Sequence, residues 1–329
     1  MATMHQKTWF DATVAATIPV AENIARIELN VPYGVDVKAG EHLDVLVPWE
    51  DRSLKRSYSI VDVDKGAKTI ALTVFRTPNS RGGSEAMHAL EPGDQLRVSM
   101  PQQDFPLRIG AKKYVLLAGG IGVTAILSMA DTLRRLGADY QLIYAGRHRG
   151  AMAYLDRILT DHGEHATIYV DAEGKTLDVP TLVDSIEQDT EFYMCGPIRL
   201  MDAVRRAWSD TDLDITNLRF ETFGNSGWFD PEPFTITVPR LGITTQVEQD
   251  ESLLEALERA GADMMFDCRK GECGLCQVKI LELEGKVDHR DVFFSERQKN
   301  EEPQQNMCCC VSRITPTQNS NAAVTIEVS

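Results

Sequence analysis

The 329-residue chain has no apolar run approaching the roughly 18 residues that a membrane span needs. Its opening, Met1-Ala-Thr-Met-His-Gln-Lys7, lacks the apolar core of a signal peptide, so a cytoplasmic protein is expected. Low-complexity tracts and internal repeats are also absent, and 43% hydrophobic with 25% charged residues is ordinary for a globular chain. Basic charge is scarce: 34 Lys and Arg face 49 Asp and Glu, a formal charge of −15. That balance argues against a nucleic-acid partner, which needs phosphates neutralised by Lys and Arg. There is no G-x-S-x-G elbow and no H-E-x-x-H helix, so two common hydrolytic centres are set aside. Six of the seven cysteines lie near the C-terminus and only Cys195 stands apart, which leaves no disulfide framework.

Those six cysteines carry the strongest signal. Cys268-Arg-Lys-Gly-Glu-Cys273-Gly-Leu-Cys276 is C-x4-C-x2-C, followed at distance by Cys308, Cys309 and Cys310. This is the spacing of a plant-type 2Fe–2S ferredoxin, in which four thiolates converge on two irons. Gly271 and Gly274 let backbone pass where a side chain would crowd the cluster. A structural zinc site is the competing reading, but it usually builds from two short Cys pairs. On spacing alone, any of Cys308, Cys309 and Cys310 can be the fourth ligand. A Rieske centre is not expected, because only His289 lies between these cysteines and the other histidines are scattered. His162 and His165 do not make an iron site and are expected at the surface.

The chain changes rhythm twice. The first hundred residues hold short alternating runs, such as Ile70, Leu72 and Val74, His42 to Val47, and Gln95 to Met100, broken by Gly and Pro. That pattern predicts an antiparallel β-barrel. After Gly110, strands at 114–118, 140–144, 167–170 and 192–194 alternate with helical stretches, which predicts an α/β domain with a parallel sheet. A turn-rich linker follows from Gly224 to Pro233, then strands at 234–238 and 243–247 and a helix opened by Ser252-x-x-Glu255. From 232 onward, 17 acidic residues face 10 basic ones, an asymmetry suited to steering a basic redox partner.

Several motifs sit on this frame. In Arg56-Ser57-Tyr58-Ser59, Tyr58 can stack on an isoalloxazine ring, Ser59 can hydrogen-bond its N5 edge, and Arg56 can pair with phosphate. Arg81-Gly82-Gly83-Ser84 opens a helix and can converge backbone N–H groups on the same anion, which points to FMN. Gly119-Gly120-Ile121-Gly122-Val123-Thr124 lies between strand and helix, where a dinucleotide pyrophosphate rests, although it does not match G-x-G-x-x-G. Asp171 can accept from ribose hydroxyls. Cys195-Gly196-Pro197 ends a strand where a nicotinamide can approach.

In order and in kind, these motifs resemble the phthalate dioxygenase reductase family over nearly the whole chain. Phe220-Glu-Thr-Phe-Gly224, Asp288-His-Arg-Asp291 and Val311-Ser-Arg313 complete the resemblance. It implies three domains: an FMN-binding barrel over 1–107, an NADH-binding α/β domain over 108–225 and, after a linker at 226–233, a β-grasp ferredoxin domain over 234–329. It implies that Phe223 packs against the flavin where nicotinamide docks, that Asp171 favours NADH over NADPH, and that Cys310 joins Cys268, Cys273 and Cys276 as fourth ligand. Two departures stand out. The 33 residues between Cys276 and Cys310 exceed the family spacing, with an apparent insertion over 299–305, and Ala125 replaces a usual proline. The implied activity is hydride uptake from NADH and single-electron delivery to a Rieske-type oxygenase. A cytochrome or a separate ferredoxin is the alternative acceptor, and a sensor that reads NADH without turnover is the alternative class.

Overall fold

The computed structural model describes residues 8–34, 36–49, 52–78, 82–223, 231–249, 251–300, 303–317 and 322–328. Arg81, Gly224 and most of the expected linker at 226–233 lie outside the described residues. Contacts divide the chain into two compact units, one of Met1–Gly196 and Ala207–Glu221, the other of Pro197–Arg206 and Thr222–Ser329.

The first unit opens with an antiparallel barrel. Its strands are β1 (Trp9–Ala21), β2 (Ile24–Asn30), β3 (Glu41–Trp49), β4 (Arg52–Asp64), β5 (Thr69–Phe75) and β6 (Gln95–Ser99). They pair in the order β4-β5-β2-β1-β6-β3 and close through β3 on β4, with β7 (Gln102–Gln103) added beside β3. Closure removes the sheet edges and encloses a core of Ile27, Leu29, Leu43, Val45, Leu72 and Leu96. The alternation along β5 is real in sequence but not in burial, since Ala71 and Thr73 are covered as well. Thr73 on the outer face meets the Tyr154 hydroxyl at 2.5 Å. A short helix, α1 (Gly83–His88), follows β5.

The same unit continues with β8 (Lys113–Gly119), α2 (Val123–Leu136), β9 (Tyr140–Gly146), α3 (Leu155–His162), β10 (Ala166–Val170), α4 (Val179–Asp184), β11 (Thr190–Cys195), α5 (Ile198–Ser209) and β12 (Leu218–Glu221). The helix α5 spans the division between the units. The strands are parallel in the order β10-β9-β8-β11-β12. Residues Tyr114–Gly119 of β8 are all buried, as expected of a central strand with both faces covered. Gly137 ends α2 in the left-handed region, its N–H bonding to Arg134 O at 3.1 Å.

An ion-pair network docks barrel on parallel sheet. Asp62 of β4 accepts from Arg26 and from Arg157 Nη1 at 2.8 Å, and Arg157 reaches Asp131 at 2.6 Å. His162 corrects the sequence expectation: it is 1% exposed, bridging the Tyr140 hydroxyl at 2.6 Å and Asp131 at 3.1 Å. It sits on the inner face of α3, so its polarity is used internally, while His165 is exposed and stacks on Tyr140. Burial raises the Asp131 pKa, but the His162 hydrogen bond and the Arg157 charge outweigh it and hold it below the ordinary value.

The second unit contains β13 (Phe234–Val238), β14 (Ile243–Val247), α6 (Leu253–Arg259), β15 (Gln277–Glu284), β16 (Lys286–Asp288), α7 (Glu296–Lys299), β17 (Asn306–Cys308), β18 (Arg313–Thr315) and β19 (Ala323–Glu327). Five strands form a mixed sheet in the order β14-β13-β19-β15-β17, and β16 pairs with β18. The capping box is formed: Ser252 Oγ accepts from Glu255 N at 3.2 Å while Glu255 accepts from Ser252 N at 2.7 Å. The buried stripe Leu253, Leu254, Ala256 and Leu257 joins one core with Phe234, Ile236 and Ile326, the grasp of a sheet on a single helix. Gln304, ahead of β17, is tied back to β16: its Oε1 accepts from Val287 N at 2.9 Å.

Candidate functional site

On the barrel, β4 runs against β3 with Val45 opposite Arg56, Asp44 opposite Ser57, Leu43 opposite Tyr58 and His42 opposite Ser59. The four predicted residues therefore divide between two faces. Ser57 donates to Asp44 Oδ1 at 2.6 Å, and Lys55 holds the other Asp44 oxygen at 3.2 Å, so Ser57 is engaged in fixing a buried carboxylate. Tyr58 is half-buried, and burial pushes its hydroxyl pKa up against the opposing pull of Arg56, which keeps the ring neutral. Arg56 lies across the loop that opens α1: a Cβ on Gly83 would stand 2.8 Å from Arg56 Nε. Guanidinium and glycine loop thus share one place, the arrangement a terminal phosphate requires. Ser84 turns back to Thr77, its Oγ 3.0 Å from Thr77 Oγ1.

Ser59 donates to Glu221 Oε2 at 3.3 Å, and both are buried. Glu221 closes β12 at the carboxyl edge of the parallel sheet, and sequence reasoning gave it no role. Its signal was positional: a lone acid ending a strand beside the sheet's ligand edge.

In the parallel sheet the connections reverse between β8 and β11, which opens a crevice at their carboxyl ends. The two predicted loops meet there. A Cβ on Gly122 would lie 2.1 Å from Cys195 O and 2.8 Å from Gly196 N, so only glycine allows this approach. Gly119 ends β8, and Gly120 and Gly122 bound the single turn before α2. Thr124 is buried and donates to Ile121 O at 3.0 Å, closing the turn on itself. Ala125 is buried in the first turn of α2. Asp171, just past β10, is exposed. Cys195 is buried, Gly196 half-buried and Pro197 exposed, with Pro197 O accepting from Leu200 N at 2.9 Å.

Phe223 is half-buried and belongs to the second unit. Its neighbour Thr222 is fixed on the cysteine loop: Thr222 N donates to Glu272 Oε1 at 2.5 Å and its hydroxyl to Lys270 O at 2.7 Å. Neither contact had a local sequence signal, because the partners are about fifty residues apart.

The loop 268–276 and the turn after β17 are held together by Cys309 N donating to Cys276 O at 3.2 Å. The Cys268 thiol is pulled below its ordinary value, with Cys310 the chief cause against the cost of burial. Backbone N–H groups of Lys270, Glu272 and Cys273 point at Cys268 Sγ from 3.4, 3.4 and 3.5 Å. Such N–H donors stabilise thiolate charge, and the donor set fits a 2Fe–2S cluster. Among the described residues no group of His, Cys, Asp and Glu is arranged around a single metal ion. The loop's shape is imposed by Gly271, at φ 76° and with a would-be Cβ 2.8 Å from Asp291 Cα.

A buried polar layer supports that loop. Val292 N donates to Gly271 O at 3.0 Å, while Asp291 accepts from Phe294 N at 2.9 Å and Ser312 Oγ at 3.1 Å. Burial raises the Asp291 pKa, yet the His289 hydrogen bond and the Lys299 charge bring it below the ordinary value. Arg313 ties the layer to the chain at Glu232 O, Glu248 O and Glu251 O, at 2.9, 2.9 and 2.5 Å. The two motifs at 288–291 and 311–313 are therefore scaffolding for the cysteine loop.

Comparison with known proteins agrees with these two halves. Residues 11–106 match the model of an oxidoreductase FAD-binding domain, and residues 236–315 that of a 2Fe-2S iron-sulfur cluster binding domain. The chain is 35% identical to tetrachlorobenzoquinone reductase of Sphingobium chlorophenolicum, over 92% of this chain and 95% of that one. It is 33% identical to the phthalate 4,5-dioxygenase oxygenase reductase subunit of Pseudomonas putida, over 91% and 92%. The solved phthalate dioxygenase reductase, described as modular for electron transfer from pyridine nucleotides to [2Fe-2S], superposes with a TM-score of 0.74 at 29% identity, covering 97% of this chain and 98% of that one.

Proposed function

The chain belongs to the phthalate dioxygenase reductase family of NADH-dependent oxidoreductases, and from that premise we propose that it delivers single electrons to a partner Rieske-type oxygenase. The observation that supports the proposal is one chain in which residues 11–106 match a flavin domain and residues 236–315 a 2Fe-2S domain, with Gly83 against Arg56 and Gly122 against Cys195. When bound, flavin takes electrons from NADH as a pair and releases them one at a time, which is how a 2Fe–2S cluster accepts them.

The residues supply place and charge. Arg56 with Gly82 and Gly83 holds a terminal phosphate, which suits FMN, and Tyr58 offers the ring a neutral aromatic face. Glu221 fixes the Ser59 hydroxyl, so that its direction is set before a ligand arrives. Gly119, Gly120 and Gly122 keep the pyrophosphate close to backbone N–H groups, and Gly196 leaves room for nicotinamide. The exposed Asp171 accepts from ribose hydroxyls and repels a 2′-phosphate, which favours NADH. Cys268, Cys273, Cys276 and Cys310 hold the cluster. On this reading residues 1–107, 108–225 and 234–329 act as flavin, NADH and cluster modules.

A second reading has one supporting observation, the 35% identity to a reductase named for tetrachlorobenzoquinone. In that reading a small quinone, rather than a protein, takes the electrons. The test is anaerobic mixing of the NADH-reduced protein with a Rieske oxygenase, a cytochrome, a separate ferredoxin and tetrachlorobenzoquinone, following acceptor reduction. Fastest transfer to the Rieske protein is expected. Productive transfer to the quinone alone contradicts it.

A further inference from the structure

Three consecutive cysteines at the end of β17 are more than a four-thiolate site consumes. On a strand, successive side chains point to opposite faces. Here the chain turns over at 309–311, with Ser312 N bonding to Cys308 O at 3.0 Å. All three are buried, at 0%, 0% and 6% exposure. Cys309 has the closest backbone relation to Cys276. Gln277 pairs with Cys308 in the β15–β17 ladder, and Cys309 N then donates to Cys276 O at 3.2 Å, which puts Cys309 directly across from Cys276 on the same face.

We propose that the fourth cluster position is held by Cys310 with Cys309 as a reserve thiolate that can take its place. The proposal rests on the reading of 268–310 as a 2Fe–2S site and adds to it a ligand that the four-thiolate pattern does not use. Cys309 is already desolvated and directly across from Cys276, so exchange would need a change at one turn rather than a rearranged sheet. Within the 33 residues between Cys276 and Cys310, Ile280 N of β15 donates to Gln305 O at 2.7 Å, just ahead of β17. That bond anchors β17 while leaving the turn beyond it to choose which thiol faces inward.

The test uses the full chain, reconstituted anaerobically with ferrous iron and sulfide, and reads iron, acid-labile sulfide, bound flavin and the EPR spectrum of the reduced protein. Wild type should carry about two irons per chain, as a 2Fe–2S site requires. Failure at that step overturns the cluster reading itself and is distinct from failure of the proposal. Cys310→Ala cannot ligate, yet should retain most of the iron with shifted g values. Cys309→Ala/Cys310→Ala should lose it, and Cys308→Ala/Cys310→Ala, which removes equal volume, should resemble Cys310→Ala. Cys310→Ser is run beside them because it preserves side-chain size, and hydrogen exchange across β15 and β19 reports whether the sheet is formed. Loss of iron from Cys310→Ala while hydrogen exchange shows the sheet formed overturns the proposal, and so does retention of iron by Cys309→Ala/Cys310→Ala.

Discussion

The two electron-carrying sites are built in opposite ways. The cluster site is nearly contiguous: Cys268, Cys273 and Cys276 lie in nine residues, and a turn of backbone aims three N–H groups at one sulfur. The proposed flavin and nucleotide seat draws on the pairs Arg56 with Gly83, Ser59 with Glu221 and Gly122 with Cys195, each formed only when a barrel closes or a parallel sheet reverses. A local site depends on its ligands, whereas a site made by topology depends on close backbone approach. The same kind of substitution should therefore act differently in the two.

The largest effect should come from removing a ligand in the local site. Cys268→Ala should abolish the cluster EPR signal and bring iron from about two per chain to near none, while flavin bleaching by NADH persists. Simultaneous loss of flavin would erase the distinction between the sites. In the dispersed site, a methyl group should be the damaging change. Gly122→Ala drives a Cβ into Cys195 O, costs about 1–3 kcal/mol of overpacking and should raise KM for NADH roughly tenfold, with the cluster unaffected. An unchanged KM would remove Gly122 from the nucleotide crevice. Arg56→Ala should weaken flavin binding roughly 10- to 100-fold by losing a charge-assisted bond to phosphate, measured by fluorescence on flavin release.

Smaller effects sharpen the contrast. Thr222→Val removes the hydroxyl bond to Lys270 O and should cost about 1 kcal/mol, seen as faster hydrogen exchange at Lys270 and Glu272. The barrel amides should not change. The last prediction concerns pH. Asp131 has a folded pKa below its unfolded value, so its contribution is present above about pH 4 and is lost as pH falls through the folded pKa. Asp131→Asn should lower Tm at pH 7 and narrow its gap to wild type in acid. A gap that widens on acidification would refute the assignment.

The contrast also decides what could be read beforehand. The strands at 234–238 and 243–247 and the capping box at Ser252 and Glu255 were legible because each is set by neighbours within a few residues. The glycines and Cys195 were legible as points of close approach, though not that Gly122 and Cys195 approach each other. Glu221 and Thr222 were missed because their partners, Ser59 and the loop at 270–272, are 162 and about 50 positions away. His162 was misplaced for the same reason: its burial is created by Tyr140 and Asp131, which periodicity in α3 alone does not reveal.

The central claim is that electrons pass from NADH to flavin and on to the cluster within this one chain. Anaerobic titration of the purified protein with NADH, followed by absorbance and low-temperature EPR, tests it directly. Flavin bleaching accompanied by a rhombic reduced-cluster signal is expected. Flavin bleaching with full iron content and no such signal would contradict it.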